Sequence, residues 1–265
     1  MLILSKNRVD FETLMGVETP EATESHMPIP HHTLVKEVRK AIEAAGLTIL
    51  EEDHGLARGG LRYFGGFAVT GKGIDGEDRQ VVIGVRNSHD KAFAAAICIG
   101  NRMLVCDNLC FSSDVKLARR HTLNIMADLP RVIADAMGRV LSHWNDMTLR
   151  IERYKATSIT ESQAADLLVR LVDTKVFPKS KLYDILVEFR KPRHDEFAGE
   201  NLWNLYNAVT EFLKGSDQSK LPFRTMTMQS NLDPIAHHVP EIEVQEIVTK
   251  GCEENPEPDG TDLRD

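Results

Sequence analysis

Between Leu47 and Asn108 the chain alternates short β-prone runs with turn residues, and this spacing constrains the fold more than any other feature. The runs are LTILEE (47–52), LRYFGGFAVTG (61–71), RQVVIGVR (79–86), KAFAAAICIG (91–100) and RMLVCDN (102–108). His54-Gly55, Gly59-Gly60, Asp75-Gly76 and Gly100-Asn101 punctuate them. Connections this short suit a mostly antiparallel meander of four or five strands. A glycine-first pair such as Gly100-Asn101 suits a tight turn of type II′ or I′, so residues 91–108 are expected to form a hairpin. The run Ala94-Ala95-Ala96 is the exception, equally compatible with a helix.

Helical spacing brackets this region. Leu34, Val35, Val38, Ala41, Ile42 and Ala45 lie on one face of a first amphipathic helix that stops at Gly46. After Ser112-Ser113-Asp114, read as a polar turn, the pattern stays helical. Pro130 is expected in the first turn of a long helix whose stripe is Ile133, Met137, Val140, Leu141, Trp144, Met147 and Ile151. Thr160 and Gln163 make a capping box before AADLLVRLV. Pro178 or Ser180 opens KLYDILVEFR, which Pro192 stops, and NLWNLYNAVTEFLKG (201–215) ends on Gly215. The expected fold is therefore α+β: an N-terminal helix, an antiparallel β meander of four to five strands and a C-terminal helical layer. Residues 1–30 read as an arm that packs only if a core receives Leu2, Ile3 and Leu4. Residues 31–215 read as a single domain, with the sheet at 47–108 and helices at 115–215. Residues 216–265 read as an extension with a disordered acidic tail.

Composition narrows the function. No apolar run approaches the roughly 20 residues of a membrane span. Neither a basic n-region nor a cleavage site marks the start, so a cytoplasmic protein is expected. Cys98, Cys106, Cys110 and Cys252 lack the dense spacing of a secreted scaffold and fit a reducing compartment. The net charge of −8 argues against bulk electrostatic coating of duplex DNA. Residues 31–155 nevertheless hold 18 basic and 15 acidic side chains, a net of +3, which leaves room for a basic face.

Two polar clusters sit beside apolar runs. Asn87-Ser88-His89-Asp90 follows strand VVIGVR, where a His and Asp could hold a metal or a phosphate, or could simply satisfy their own turn. Arg119-Arg120-His121-Thr122, with Lys116 nearby, could grip phosphates or form a structural network with acids. His89, Asp90, Cys106 and His121 are the candidates for catalysis if the protein is an enzyme, with a divalent metal as the one conceivable cofactor. Cys106 and Cys110, with His89 and His121, could make a two-Cys, two-His zinc set, but buried structural cysteine on a strand is the better reading, and the zinc-deaminase signature is absent. Arg58, Arg62, Tyr63 and Phe64 mix basic and aromatic side chains as single-strand binders do. Tyr63 and Phe64 point to opposite faces of a strand, so at most one is free to stack. No phosphate-binding glycine loop is present.

The ordered motifs VRNSHD, VCDNL, RRHT and LWNLYNAVTEFL resemble those of the phage/plasmid-like protein family catalogued as domain of unknown function 932, over roughly residues 60–215. The resemblance implies signature positions at Asn87, Ser88, His89, Asp90, Cys106, Asn108, Arg120, His121, Thr122, Trp203, Tyr206 and Asn207. That family often has a small glycine after His-Asp, where this chain has Lys91. The resemblance also implies a gene of phages, plasmids or integrated elements and a protein of the bacterial cytoplasm. It supplies no chemistry. The element order is similar, at the level of fold, to phage single-strand annealing proteins.

The expected function is that of a nucleic-acid-associated, non-enzymatic protein that binds or anneals single-stranded DNA as a homo-oligomer. Its expected contacts are Arg58, Arg62, Arg86, Lys91, Arg102, Lys116, Arg119 and Arg120. The alternatives are a metal- or cysteine-dependent hydrolase and a counter-defence protein that binds a host enzyme. All strand-binding and catalytic readings require the Asn-Ser-His-Asp corner and the double-arginine segment to share one exposed surface.

Overall fold

The computed structural model describes residues 7–74, 76, 78–104, 109–214 and 220–236, with the backbone alone for 109–119. The chain opens with the two-residue strand β1 (Arg8–Val9), the short helix α1 (Phe11–Met15) and the amphipathic helix α2 (His31–Ala44). Five longer strands follow: β2 (Thr48–Ala57), β3 (Arg62–Thr70), β4 (Arg79–Ser88), β5 (Ala95–Met103) and β6 (Leu109–Arg119). With β1 they form one sheet in sequence order, every neighbouring pair antiparallel. Six helices complete the described chain: α3 (Ile125–Met137), α4 (Val140–Ala156), α5 (Glu161–Asp173), α6 (Leu182–Arg190), α7 (Leu202–Leu213) and α8 (Leu221–Leu232). The fold is thus α+β, an antiparallel meander followed by a helical layer. No helix among the described residues is long and apolar enough to cross a membrane.

Several local expectations are corrected within this frame. Gly100-Asn101 is no turn: both residues lie inside β5, opposite Val82 and Val81 of β4. The register slips between Cys98 and Gly100 on the β6 side, so the glycine marks an irregularity in a strand. His54-Gly55 likewise continues β2 opposite Gly65 and Phe64. Residues 109–119 form β6 where a polar turn and the start of the helices were expected, so the sheet reaches Arg119 and the next helix starts at Ile125. An edge strand pairs on one side only and tolerates the polar Ser112-Ser113-Asp114 that suggested a turn. The long helix is two helices broken at Gly138-Arg139, and Pro130 lies in the interior of α3. Its stripe is buried as expected except Leu141, which is half exposed. The capping box is present: Gln163 N–H donates to Thr160 Oγ1, and Thr160 N–H to Gln163 Oε1.

Strand alternation decides what each face buries. Tyr63, Phe67 and Val69 of β3, Val81, Ile83 and Val85 of β4, and Ala95, Ile97 and Ile99 of β5 point to one side. There they meet Leu34, Val35, Val38 and Ile42 of α2 and Ile125, Leu129 and Ile133 of α3. Leu14 and Ile29 from the segment ahead of α2 are fully buried in the same cluster. Leu2, Ile3 and Leu4, on which the arm was expected to depend, lie outside the described residues. The opposite face has rows of small residues, Gly66-Gly84-Cys98 and Ala68-Val82-Gly100. A row at one end of that face joins Phe64, Arg86 and Ala96, flanked by Arg62 and Ser88.

A second core is built by α5 to α8 around Leu168, Leu171, Ile185, Leu205, Val209, Met228 and Leu232. Helix α8 falls in the region expected as an extension, and Met228 and Leu232 are fully buried there. The acidic tail lies outside the described residues. Helix α4 joins the two cores, with Trp144 in the first and Ile151 and Tyr154 in the second. Arg79 of β4 clamps it to the sheet: its guanidinium stacks 4.4 Å from the Trp144 ring and donates to Thr148 Oγ1 at 2.7 Å.

One buried chain of polar groups braces the meander. The Tyr63 hydroxyl donates to His54 Nδ1 at 3.0 Å, and His54 Nε2 donates to Glu52, which Arg39 of α2 holds by an ion pair. The tyrosine ring lies over Gly65, where a Cβ would come within 2.0 Å of the hydroxyl oxygen. Tyr63→Phe should therefore leave His54 Nδ1 without a donor and cost about 1–3 kcal/mol of stability. Urea unfolding measures this, and a midpoint equal to that of the parent would refute the bracing role.

Candidate functional site

The end of β4 is where the sheet meets the chain ahead of α2. Strand parity puts Asn87 on the core side, opposite Tyr63, and it is fully buried. Its amide Nδ2 donates to the Ile29 carbonyl at 2.6 Å and to His31 Nδ1 at 2.9 Å. His31 Nε2 then donates to the Gly60 carbonyl in the β2–β3 turn. The proton is thereby fixed on Nε2, because Nδ1 must accept from the amide. His89 Nε2 donates to the same Ile29 carbonyl at 2.9 Å, and its ring stacks on His31 with centroids 3.9 Å apart. Met27 N–H donates to the His121 carbonyl, and the His26 and His121 rings stack at 5.1 Å.

Residues 26–31 thus run between the exits of β4 and β6, and four imidazoles form one cluster there. Among the described residues His89 Nδ1, both nitrogens of His121 and His26 Nε2 are buried with no hydrogen-bond partner. Burial pushes His31 down to about 4, helped by the nearby His89, while its bond to Gly60 pulls weakly the other way. Burial likewise pushes His121 down to about 4, with His26 and His89 adding to the effect. His26 is lowered by the same cause.

Asp90 turns away from this cluster. It accepts from Ser88 Oγ at 2.6 Å, from Ala92 N–H at 3.1 Å and from Arg62 Nε at 2.7 Å, closing the turn on its own backbone. The next residue, Lys91, has φ +60, a left-handed conformation that costs a residue with a Cβ about 1–2 kcal/mol. Glycine would meet no such strain, and here the conformation holds an exposed lysine at the tip of the corner. The four candidates for catalysis are therefore not gathered: His89 and His121 share a cluster, Asp90 serves the turn, and Cys106 lies outside the described residues. No three His, Cys, Asp or Glu among the described residues are placed to hold a metal ion.

The basic candidates sort by environment. Arg86 is half-buried on the outer face, its guanidinium 4.9 Å from the centre of the Phe93 ring, and its Nε has no hydrogen-bond partner among the described residues. Phe93 packs against Phe64 at 5.5 Å, and Arg62 reaches the same ring at 5.9 Å while paired to Asp90. Arg58, at φ +55 in the β2–β3 turn, Lys91 and Arg120 are exposed. Arg102 leaves the set: it is buried at the far end of the sheet, held by Glu51 and Gln80 at 2.7 Å each. The side chains of Lys116 and Arg119 lie outside the described residues.

Tyr63 enters the core and Phe64 stays on the other face, as alternation required. Sequence reasoning missed Phe93, His26 and His31. Phe93 carries no periodic signal because it sits in a turn. His31 did carry one, as the first residue of a helix whose apolar face was legible. The expected shared surface of the Asn-Ser-His-Asp corner and the Arg120-His121 segment exists only in part: residues 26–31 link them, but His89 and His121 are buried, and what faces outward is Asp90 with the adjoining Lys91 on one side and Arg120 with Thr122 on the other.

The family model described as "Domain of unknown function (DUF932)" matches residues 22–234. No curated protein and no solved structure matches the chain.

The histidine cluster sets a pH dependence of stability. Above about 6.5 His31 and His121 are neutral in both folded and unfolded chains, so their contribution to stability is level there. As pH falls from 6.5 towards 4 the unfolded chain takes up protons that folded His31 and His121 refuse, and stability drops. The slope is about 1.4 kcal/mol per pH unit for each histidine, and it flattens below about 4. Urea midpoints measured between pH 7.5 and 5 should follow this fall, and His121→Phe should remove about half of it.

Proposed function

The chain belongs to the DUF932 family, and for it we propose the role of a nucleic-acid-associated protein that holds single strands as an oligomer. One observation carries the reading: Phe64 and Phe93 pack together on the outer face at one end of the sheet, with Arg62 and Arg86 set against the Phe93 ring. Aromatic faces beside guanidinium groups take unstacked bases of any sequence, whereas duplex bases are already stacked on each other. Arg58 and Lys91, exposed in the turns beyond this patch, are suited to phosphates. Further along the same face Gly66, Ala68, Val82, Gly84 and Gly100 are buried and Cys98 packs against the C-terminal helical core, so the strand-binding patch is confined to the Phe64–Phe93 end of the sheet. A phage or plasmid setting, which the sequence resemblance implies, suits a protein that handles exposed strands.

A hydrolase is the second reading on one specific ground, the clustering of His89 with His121. Stoichiometric metal in the purified protein, absent from His121→Ala, would favour it over strand binding.

The test of the proposal is binding of a labelled single-stranded oligonucleotide across a salt series. Affinity should fall as salt rises, and Phe93→Ala should weaken binding by about 1–3 kcal/mol, roughly 5- to 150-fold. Arg58→Ala with Lys91→Ala should reduce the salt slope by about one unit for each phosphate that is no longer neutralised. An affinity that ignores both salt and Phe93 would sink the proposal.

A further inference from the structure

Residues 26–31, His-Met-Pro-Ile-Pro-His, cross the ends of β4 and β6; Ile29 is buried in the first core, and the polar contacts that tie the segment to the two strand ends go to imidazole-bearing residues and one amide. Pro28 and Pro30 have no N–H, so the segment cannot join the sheet as a regular strand. Its anchors are the Met27 N–H on the His121 carbonyl, the Ile29 carbonyl under Asn87 and His89, and His31 between Asn87 and Gly60. We propose that this segment is an acid-released strap, held by Asn87, the His89 ring and the neutral forms of His26, His31 and His121, and freed from the sheet when those three take up protons.

Each proton would break something identifiable. On His31 it adds to Nδ1, the nitrogen that accepts from Asn87 Nδ2, so acceptor becomes donor and two donors face each other. His121 has no acceptor on either nitrogen among the described residues. The stacked His26–His121 pair, 5.1 Å apart, would become a pair of like charges.

The surroundings offer no compensation. The groups that face the cluster are Lys91 from the β4–β5 turn, which acts on His26, His32 from α2, which acts on His31, and the Tyr63 ring, 5.5 Å from His31; Lys36 lies behind His32. The N-terminal end of α2, which begins at His31, adds positive potential of its own. Asp90, the carboxylate of the adjacent corner, is engaged by Arg62 and Ser88. Release would uncover the β2–β3 turn at Gly60 and loosen the corner that carries Lys91. It does not depend on strand binding, and its test needs no ligand.

Hydrogen exchange of the full chain, with rates divided by the intrinsic rate at each pH, reads the strap directly. Peptides covering residues 23–35 should lose protection at least ~10-fold between pH 7.5 and 5, while peptides from α5 and α7 keep theirs. His26→Phe, at a half-exposed ring, should preserve folding and make the transition shallower in pH, and His121→Phe should do the same more strongly. Constant strap protection down to pH 5, simultaneous loss across all peptides, or variant curves that overlay the parent would each overturn the proposal.

Discussion

The amide of Asn87 is the contact on which the arrangement of the site depends. One buried NH2 group satisfies a carbonyl in the Pro-Ile-Pro segment and fixes the tautomer of the first residue of α2. A donor left unpaired at full burial costs about 1–3 kcal/mol; His31 Nδ1 would be stranded together with it, and the Ile29 carbonyl would keep only His89. The contact sets where residues 26–31 cross the sheet, and through His31 and Gly60 it also sets the position of the β2–β3 turn. A polar network of this kind specifies one arrangement because partial satisfaction is worse than none.

From that anchor the two faces of the sheet divide the labour. The core side is apolar from Tyr63 to Val69 and from Val81 to Val85, and α2 and α3 cover it. The outer side is built mainly of Gly, Ala and Val, interrupted at one end by the Phe64, Phe93, Arg62 and Arg86 group. The turn closed by Asp90 stands at that same end and joins the faces: Asp90 holds Ser88 and Arg62 on one side, while Asn87 and His89 reach the strap on the other. A signature read along the chain as a single motif thus serves two surfaces, because successive strand residues point opposite ways.

Much of the fold was legible from periodicity. The α2 stripe, the antiparallel order of the strands, the Thr160–Gln163 capping box and the split between Tyr63 and Phe64 all follow from spacing and local hydrogen-bonding chemistry. The failures share a cause. Gly100-Asn101, His54-Gly55 and Ser112-Ser113-Asp114 have turn composition but lie in strands, since the ladder to a neighbouring strand outweighs a local preference of a few tenths of a kcal/mol to about one. Arg102 looked like a member of a basic surface because sequence gives charge without burial, and Glu51 and Gln80, which hold it, are 51 and 22 residues away.

By itself the sequence determined the class of fold, the strand order and which residues alternate into the core, because those depend on neighbours two to four positions apart. Burial of Asn87 was implicit in that alternation, since it continues the series Val81, Ile83 and Val85. Tertiary structure alone decided that His26, His31, His89 and His121 form one cluster and that Arg62 and Arg86 both reach the Phe93 ring. Those contacts join segments up to 95 residues apart in the chain, as from His26 to His121, and no local pattern encodes the register that brings them within 4–6 Å.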